Sequence, residues 1–387
     1  MRPVVIVGNV SEDPFAIDVA HSFGQRADLS DIISLKNFAN GEFCPRFISD
    51  ESELATIGQT LEGNVVVIVS VNSDAHSRQT LAQRNFLIAR AAKDNGAAKV
   101  VLVEPDLFYS AQDRGPRPEH GQTGRERTIH DRKKFDGQPF SSQLYAQLLK
   151  ASGVDSVITV HNHSVSVQDV FRNIFGGDFH NLVPSELYAH YLIDSDLVEC
   201  GSTGDNLVLC APDKGAADFV QLMYDQLGLP GAGICLLSKE RSGERQVEIQ
   251  VAADSPVRLH ELEGKDVVVF DDMVRTGSTI VKACQALRAG RPRRVVFCVS
   301  HFYSSEEGRE NMASPAIDEI LTLNTLPTIL NRDTQGRLRR KLVVLKIEKW
   351  ISRYLRDYSE LSAPHDERFY AVDMSSKNPR WQPGQRG

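Results

Sequence analysis

Cysteine is sparse and unpatterned: six among 387 residues, at positions 44, 200, 210, 235, 284 and 298, with no CxxC pair. Most lie in apolar strand-like or helical runs, where a thiol behaves as a small hydrophobe, so a reducing compartment is expected. No stretch approaches the roughly eighteen consecutive apolar residues of a membrane span. The opening MRPVVIVGNV enters a strand-like run at once and lacks a signal peptide's cleavage region, which predicts a cytoplasmic protein. Glycine (27) and proline (17) are not in excess, which argues against collagen-like repeats and long disorder. Basic charge is also short: 44 Lys and Arg against 51 Asp and Glu give a net charge of −7. Without a basic footprint, nucleic acid is a poor first guess, and any anionic ligand must be held by a local cluster. The phosphate-binding pattern GxxxxGK[ST] is absent too, so a nucleotide would have to be bound without it.

What the chain does have is length for two or three domains and a regular alternation. Short Val- and Ile-rich runs mark buried parallel strands at Val4 to Val7, Val65 to Val71, Val100 to Val103, Val157 to Val160, Leu207 to Cys210, Ile234 to Leu237, Val267 to Phe270 and Val295 to Val299. Helical periodicity separates them, as in Gln79 to Asp94 and Ser278 to Ala289. This predicts an α/β protein. The spacing repeats: 61 positions from Val4 to Val65 and 60 from Leu207 to Val267, which suggests two tandem α/β units with a break near Gly176-Gly177-Asp178. Gly115 to Gly137 and Ser238 to Val247 are polar and aperiodic and are expected to be loops, and the last thirty or so residues an arm or tail.

The strongest local signal is VVVFDDMVRTGST, Val267 to Thr279. A buried strand delivers Asp271 and Asp272 to its carboxyl end, where α/β sheets place their ligands. The following Thr-Gly-Ser-Thr turn opens a helix, and its amides, hydroxyls and helix dipole suit a phosphate. The acids suit ribose hydroxyls or a divalent cation beside them.

DDMVRTGST resembles the ribose-5-phosphate loop of phosphoribosyltransferase-type folds, and other segments resemble the ribose-phosphate pyrophosphokinase (PRPP synthetase) family, in order, over roughly residues 4 to 357. The resemblance assigns ribose 5-phosphate to Asp271, Asp272, Thr276, Gly277, Ser278 and Thr279, and to Asp213 of CAPDKG. NFANGEF is similar to the family's adenine-binding segment, so Phe38, Asn40 and Glu42 are the matching candidates, serving a neighbouring subunit's site. YSAQDR resembles the run that contacts ATP, which implicates Gln112, Asp113 and Arg114. His161 matches the histidine that helps place magnesium with ATP, and LSKER resembles the start of the catalytic loop, making Lys239 and Arg241 the catalytic candidates. The sequence departs from the pattern at Ala111, where an arginine is usual, and at Thr159 and Arg275, where acids are usual.

The resemblance implies two tandem phosphoribosyltransferase-like (type I) domains, each a mainly parallel sheet flanked by helices. The expected bounds are 1–178, with an insert loop at 115–137, then 179–340, a helix at 341–357 packing back on the first domain, and a tail at 358–387. It further implies a Mg²⁺-dependent ribose-phosphate diphosphokinase, using ATP and ribose 5-phosphate, assembled as a homo-oligomer of two or more copies, up to a hexamer. Two alternatives stay open: a non-catalytic regulatory associate of a synthetase, and a PRPP-consuming phosphoribosyltransferase.

Overall fold

The structure is a computed structural model describing residues 3–121, 126–241, 247–360 and 368–373; the side chains of 239–248 lie outside the described residues. Two compact units emerge: Met1–Leu182 with Glu348–Phe369, and Val183–Ile347 with Tyr370–Gly387. No helix among the described residues is long and apolar enough to cross a membrane.

The first unit is built on strands β1 (Val4–Gly8), β4 (Val65–Val69), β5 (Lys99–Val103), β6 (Ser156–Val160) and β7 (Phe179–Leu182), all parallel in the order β1-β4-β5-β6-β7. A separate antiparallel hairpin, β2 (Ile33–Asn37) and β3 (Phe43–Phe47), lies between β1 and β4 in sequence. Val66, Val67, Ile68 and Val69 are all buried, as expected of strands covered on both faces. The helix Pro14–Phe23 starts where the Asp13 carboxylate accepts from the Phe15 amide at 3.0 Å and stops at Gly24 with φ 98°. The helix Arg78–Asp94 is capped by Ser77 and buries Leu81, Ile88, Ala89 and Ala92. Its buried face also includes Arg84 and Asn85, polar residues on an otherwise apolar stripe.

The second unit holds β8 (Leu207–Ala211), β9 (Gly233–Arg241), β10 (Val247–Val251), β11 (Asp266–Val274), β12 (Arg294–Phe302), β13 (Glu319–Leu323), β14 (Leu342–Lys346) and β15 (Ala371–Val372). They form one sheet in the order β10-β9-β8-β11-β12-β13-β14-β15, parallel except for the outermost pair at each edge. Consecutive strands β8 and β9 pair with each other, and β11 returns to the other side of β8. That reversal is a topological switch point, the place where open α/β sheets form a crevice at their carboxyl ends.

Several expectations change. Leu342–Lys346 forms β14 rather than the start of the late helix, because its Leu-Val-Val-Leu run suits a buried strand; the helix spans Glu348–Tyr358. That helix packs on Pro14–Phe23, with the Arg356 guanidinium 5.6 Å from the Phe23 ring. Ala371–Val372, expected within the tail, pairs antiparallel with β14. Within the expected loop at 115–137, Ile129–Lys133 forms a short helix with Thr128 as cap. In the expected loop at 238–247, residues up to Arg241 continue β9 and Val247 begins β10, with Lys239 paired to Ile249 and Arg241 to Val247 along the backbone, while residues 242–246 lie outside the described residues.

Candidate active site

In the second unit the candidate residues meet at the carboxyl ends of β8 and β11, beside the switch point. Asp213 follows β8 in extended backbone, and its carboxylate accepts from the Gly215 amide at 3.0 Å. Asp271 and Asp272 are half-buried on β11, and the Asp272 amide donates to the Asp271 carboxyl at 2.9 Å. Burial, contact with Asp272, and the charges of Asp272 and Asp213 push the Asp271 carboxyl up to about 9. At neutral pH it therefore holds a proton, and a cation or a hydroxyl donor arriving here would favour its release.

Gly277 caps the helix Ser278–Arg288 with φ 76°, a conformation costly for residues bearing a Cβ, and a Cβ there would collide with the Met312 side chain and crowd Val274 at 3.3 Å. The turn is braced from outside: the Arg275 carbonyl accepts from the Ser305 hydroxyl at 3.0 Å, and the Thr276 carbonyl from the Asn311 amide at 2.8 Å. Thr276, Ser278 and Thr279 are exposed, and the first amides of the helix have no intrahelical acceptor. Arg275 is exposed, with its guanidinium 5.6 Å from the Tyr303 ring. The side chains of Lys239 and Arg241 lie outside the described residues.

In the first unit, the β2–β3 turn presents Phe38, which is 46% exposed. The Phe38 amide donates to the Glu42 carbonyl at 2.8 Å, Gly41 (φ 87°) returns a bond to the Phe38 carbonyl at 2.9 Å, and the Asn40 side chain accepts from the Glu42 amide at 3.1 Å. Asn40 is thus engaged in shaping the turn, while the aromatic ring stays accessible for stacking.

The Tyr109–Arg114 segment follows β5. Tyr109 has φ 60°, and its carbonyl accepts from the Gln112 amide at 2.9 Å. The Asp113 carboxylate accepts from the Ser164 hydroxyl at 2.9 Å and its carbonyl from Ser166 at 2.6 Å. Arg114 lies 3.2 Å from Asp131 on the short insert helix and stacks at 4.9 Å over Phe135, so the insert orders the very loop it follows. His161, at the end of β6, is mostly buried, has φ 44°, and donates its backbone N–H to Leu182 at 2.8 Å. The Thr159 hydroxyl is committed to the Pro105 carbonyl at 3.3 Å. Among the described residues no group of three or more His, Cys, Asp or Glu side chains could by itself hold a metal ion.

Sequence reasoning missed a wholly buried polar network beneath these segments. Glu104 accepts from the Phe108 amide (2.8 Å), the Tyr145 hydroxyl (2.9 and 3.2 Å), Asn85 (3.1 Å) and Ser70 (3.2 Å). Asn9 donates to Ser70 and to Asn85, both at 2.9 Å. A signal was present: Asn9, Ser70 and Glu104 each directly follow an apolar strand, at the same edge of three neighbouring strands. Also missed was His301, buried on β12 in register with Met273 and bonded to Thr325 at 2.9 Å. Nothing in a lone histidine after an apolar run distinguishes it from a packed core residue.

The switch-point sheet, the paired acids and the braced phosphate-type turn define a phosphoribosyltransferase-type α/β unit, and residues 196–322 match the phosphoribosyl transferase domain family. The whole chain extends the likeness. A ribose-phosphate pyrophosphokinase of Corynebacterium efficiens is 27% identical over 329 residues, covering 85% of each chain. One from Aeropyrum pernix is 26% identical over 283 residues, covering 73% of this chain and 79% of its own. In fold, the crystal structure of phosphoribosylpyrophosphate synthetase from Mycobacterium smegmatis aligns with 93% of this chain and 99% of its own, with a TM-score of 0.69 and 21% identity. Along most of its length the chain is thus similar to ribose-phosphate pyrophosphokinases, at a divergent level of identity, and it shares the fold of a phosphoribosylpyrophosphate synthetase.

Two outcomes follow from this geometry. If the turn holds ribose 5-phosphate, as the resemblance implies, Gly277→Ala should weaken its binding at least about tenfold, measured by calorimetry, because the turn's positive φ is lost; unchanged binding would remove the turn from the site. Burial raises the Glu104 carboxyl from 4.5 to about 8. The folded protein therefore keeps a proton that the unfolded chain releases, so this group's stabilisation is present below the unfolded value and is lost as pH rises towards 8. Thermal melts of wild type and Glu104→Gln should accordingly diverge in the variant's favour between acidic and mildly alkaline pH.

Proposed function

We propose that the protein is a ribose-phosphate diphosphokinase that transfers the β,γ-diphosphoryl group of ATP to the 1-hydroxyl of ribose 5-phosphate, giving PRPP and AMP. The observation that carries this reading is the acid pair Asp271 and Asp272 leading into the Gly277 turn at the sheet's switch point. It stands in a chain whose relatives named ribose-phosphate pyrophosphokinase match along most of its length. A transferase that consumes PRPP would share the turn, but it has no need of a whole first unit bearing the β2–β3 turn and the Tyr109–Arg114 segment.

In this reading the second unit binds the acceptor. Amides and hydroxyls at Thr276 to Thr279 take the 5-phosphate at the helix N-terminus, and Asp271, Asp272 and Asp213 orient the ribose hydroxyls. The first unit binds the nucleotide: Phe38 stacks on adenine, Asn40 and Glu42 flank it, and Gln112, Asp113 and Arg114 meet its polar part. Lys239 and Arg241 offset the charge on the transferring group. The anomeric oxygen attacks the β-phosphorus in line, so catalysis is positioning and charge neutralisation, without a covalent enzyme intermediate.

Magnesium fits this chemistry. It is commonly held by one or two carboxylates plus substrate phosphates, and Asp271, with its ionised form opposed by two neighbouring acids, is suited to such a cation. When bound, Mg²⁺ would neutralise phosphate charge. Because Mg²⁺ prefers oxygen ligands, the His161 imidazole is chemically better suited to donate to a phosphate oxygen than to ligate the ion directly. We further propose that the protein acts as a homo-oligomer in the cytoplasm.

Arg275, Ala111 and Thr159 favour the second reading, a non-catalytic associate of a synthetase, because each changes the charge or hydrogen bonding expected near metal and phosphates. Purified protein with Mg-ATP should release AMP only when ribose 5-phosphate is added; no such release across a range of Mg²⁺ concentrations would favour the associate. In the enzyme, Lys239→Ala should lower kcat by about two orders of magnitude or more while ribose 5-phosphate still binds. Normal turnover by that variant would place the catalytic charge elsewhere.

A further inference from the structure

We propose that Glu104 is a positioning residue for the Tyr109–Arg114 segment, holding it through the Phe108 amide and the Tyr145 side chain; its link to nucleotide binding rests on the function proposed above. Glu104 sits at the end of β5 and is 0% exposed. An acid in such a place is costly unless its oxygens are satisfied, and here both oxygens are hydrogen-bonded. One oxygen takes the Phe108 N–H at 2.8 Å, closing residues 104 to 108 into a compact turn. Inside that turn the Pro105 carbonyl accepts from the Val160 amide at 3.1 Å and the Thr159 hydroxyl at 3.3 Å, which ties it to β6. The next residue is Tyr109, whose φ of 60° reverses the chain towards Gln112.

The second tether is Tyr145 on the helix Ser141–Ser152. Its hydroxyl reaches both Glu104 oxygens, and its ring packs on Tyr109 at 5.2 Å and Phe108 at 6.4 Å. Asn85 and Ser70, themselves fixed by Asn9, set the rotation of the carboxyl so that its other oxygen faces Phe108. The charged and titratable groups that act on this cluster are Arg78, which is paired with Asp106 inside the same turn, and Tyr109, which acts on Tyr145. Arg84, on the same helix as Asn85, extends the arrangement: it donates to the Asn9 carbonyl at 3.2 Å and lies 4.5 Å over Phe43, the residue after Glu42. Both first-unit candidate segments are therefore reached from one buried polar core.

The test compares Glu104→Ala, Glu104→Gln and Tyr145→Phe by hydrogen exchange of the amides from Phe108 to Arg114 and by steady-state kinetics. In Glu104→Ala these amides should exchange at least about tenfold faster while the helix Arg78–Asp94 keeps its protection. The KM for Mg-ATP should rise at least about tenfold with the KM for ribose 5-phosphate within about twofold. Glu104→Gln, whose amide oxygen can still accept from Phe108, should recover most of both effects. Unchanged exchange from Phe108 to Arg114, or equal rises in both KM values, would overturn the proposal. If Glu104→Ala does not fold, Tyr145→Phe, which keeps the ring and removes the hydroxyl, should give the same contrast at smaller size, and its absence would likewise overturn it. A wild type that releases no AMP would sink the functional reading alone, since exchange would still decide whether Glu104 holds the segment.

Discussion

Everything at the proposed acceptor site depends on β8 being paired in parallel with both β9 and β11. Because the chain moves outward from β8 on one side and then returns on the other, loops leaving β8 and β11 are not forced to cross each other. In open α/β sheets such a point is where the ligand crevice forms, at the carboxyl edge. Asp213, just after β8, and Asp271, on β11, lie 58 positions apart in sequence, yet the charge of one is felt by the other. Nothing local to either segment would bring them together.

The first unit shapes its candidate segments by other means. Its strand order runs from β4 to β7 in one direction, with β1 outside β4, so none of the strands carrying the nucleotide-binding candidates lies at a switch point. In its place, three strand ends carry polar residues that meet a helix and a tyrosine beneath the loops. A parallel sheet is ordinarily apolar through its whole thickness. Here the apolar character stops one residue before the loops begin, and the polar layer gives directional bonds where packing alone would leave the loops adjustable.

The sequence made the second half more legible than the first. Val267 to Thr279 carries strand, acids and helix start in one contiguous run, so each local signal agrees with its neighbours. Each apolar run named as a strand corresponds to one, because strands covered on both faces contain little but Val, Ile and Leu. Edge elements were harder: β7 has the sequence FHNL and β15 only two residues, so they are defined by their partners rather than by their own pattern. The Glu104 network was hidden for a different reason. An acid after a strand reads as the start of a solvated loop, and only the convergence of side chains from β1, β4, β5 and two helices reveals that it is enclosed.

The late helix Glu348–Tyr358 completes the first unit, and the chain then returns to add β15 to the second. During synthesis this has a temporal consequence. Domains usually become able to fold in the order in which they leave the ribosome, at about 5–20 residues per second. The first unit must instead wait with the outer face of the helix Pro14–Phe23 uncovered while the whole intervening unit is made. Its closing contact, between residues more than three hundred positions apart, is among the longest loop closures the chain can make. The part made first is finished almost last, so the nascent chain has an interval in which an apolar surface stands open to other partners.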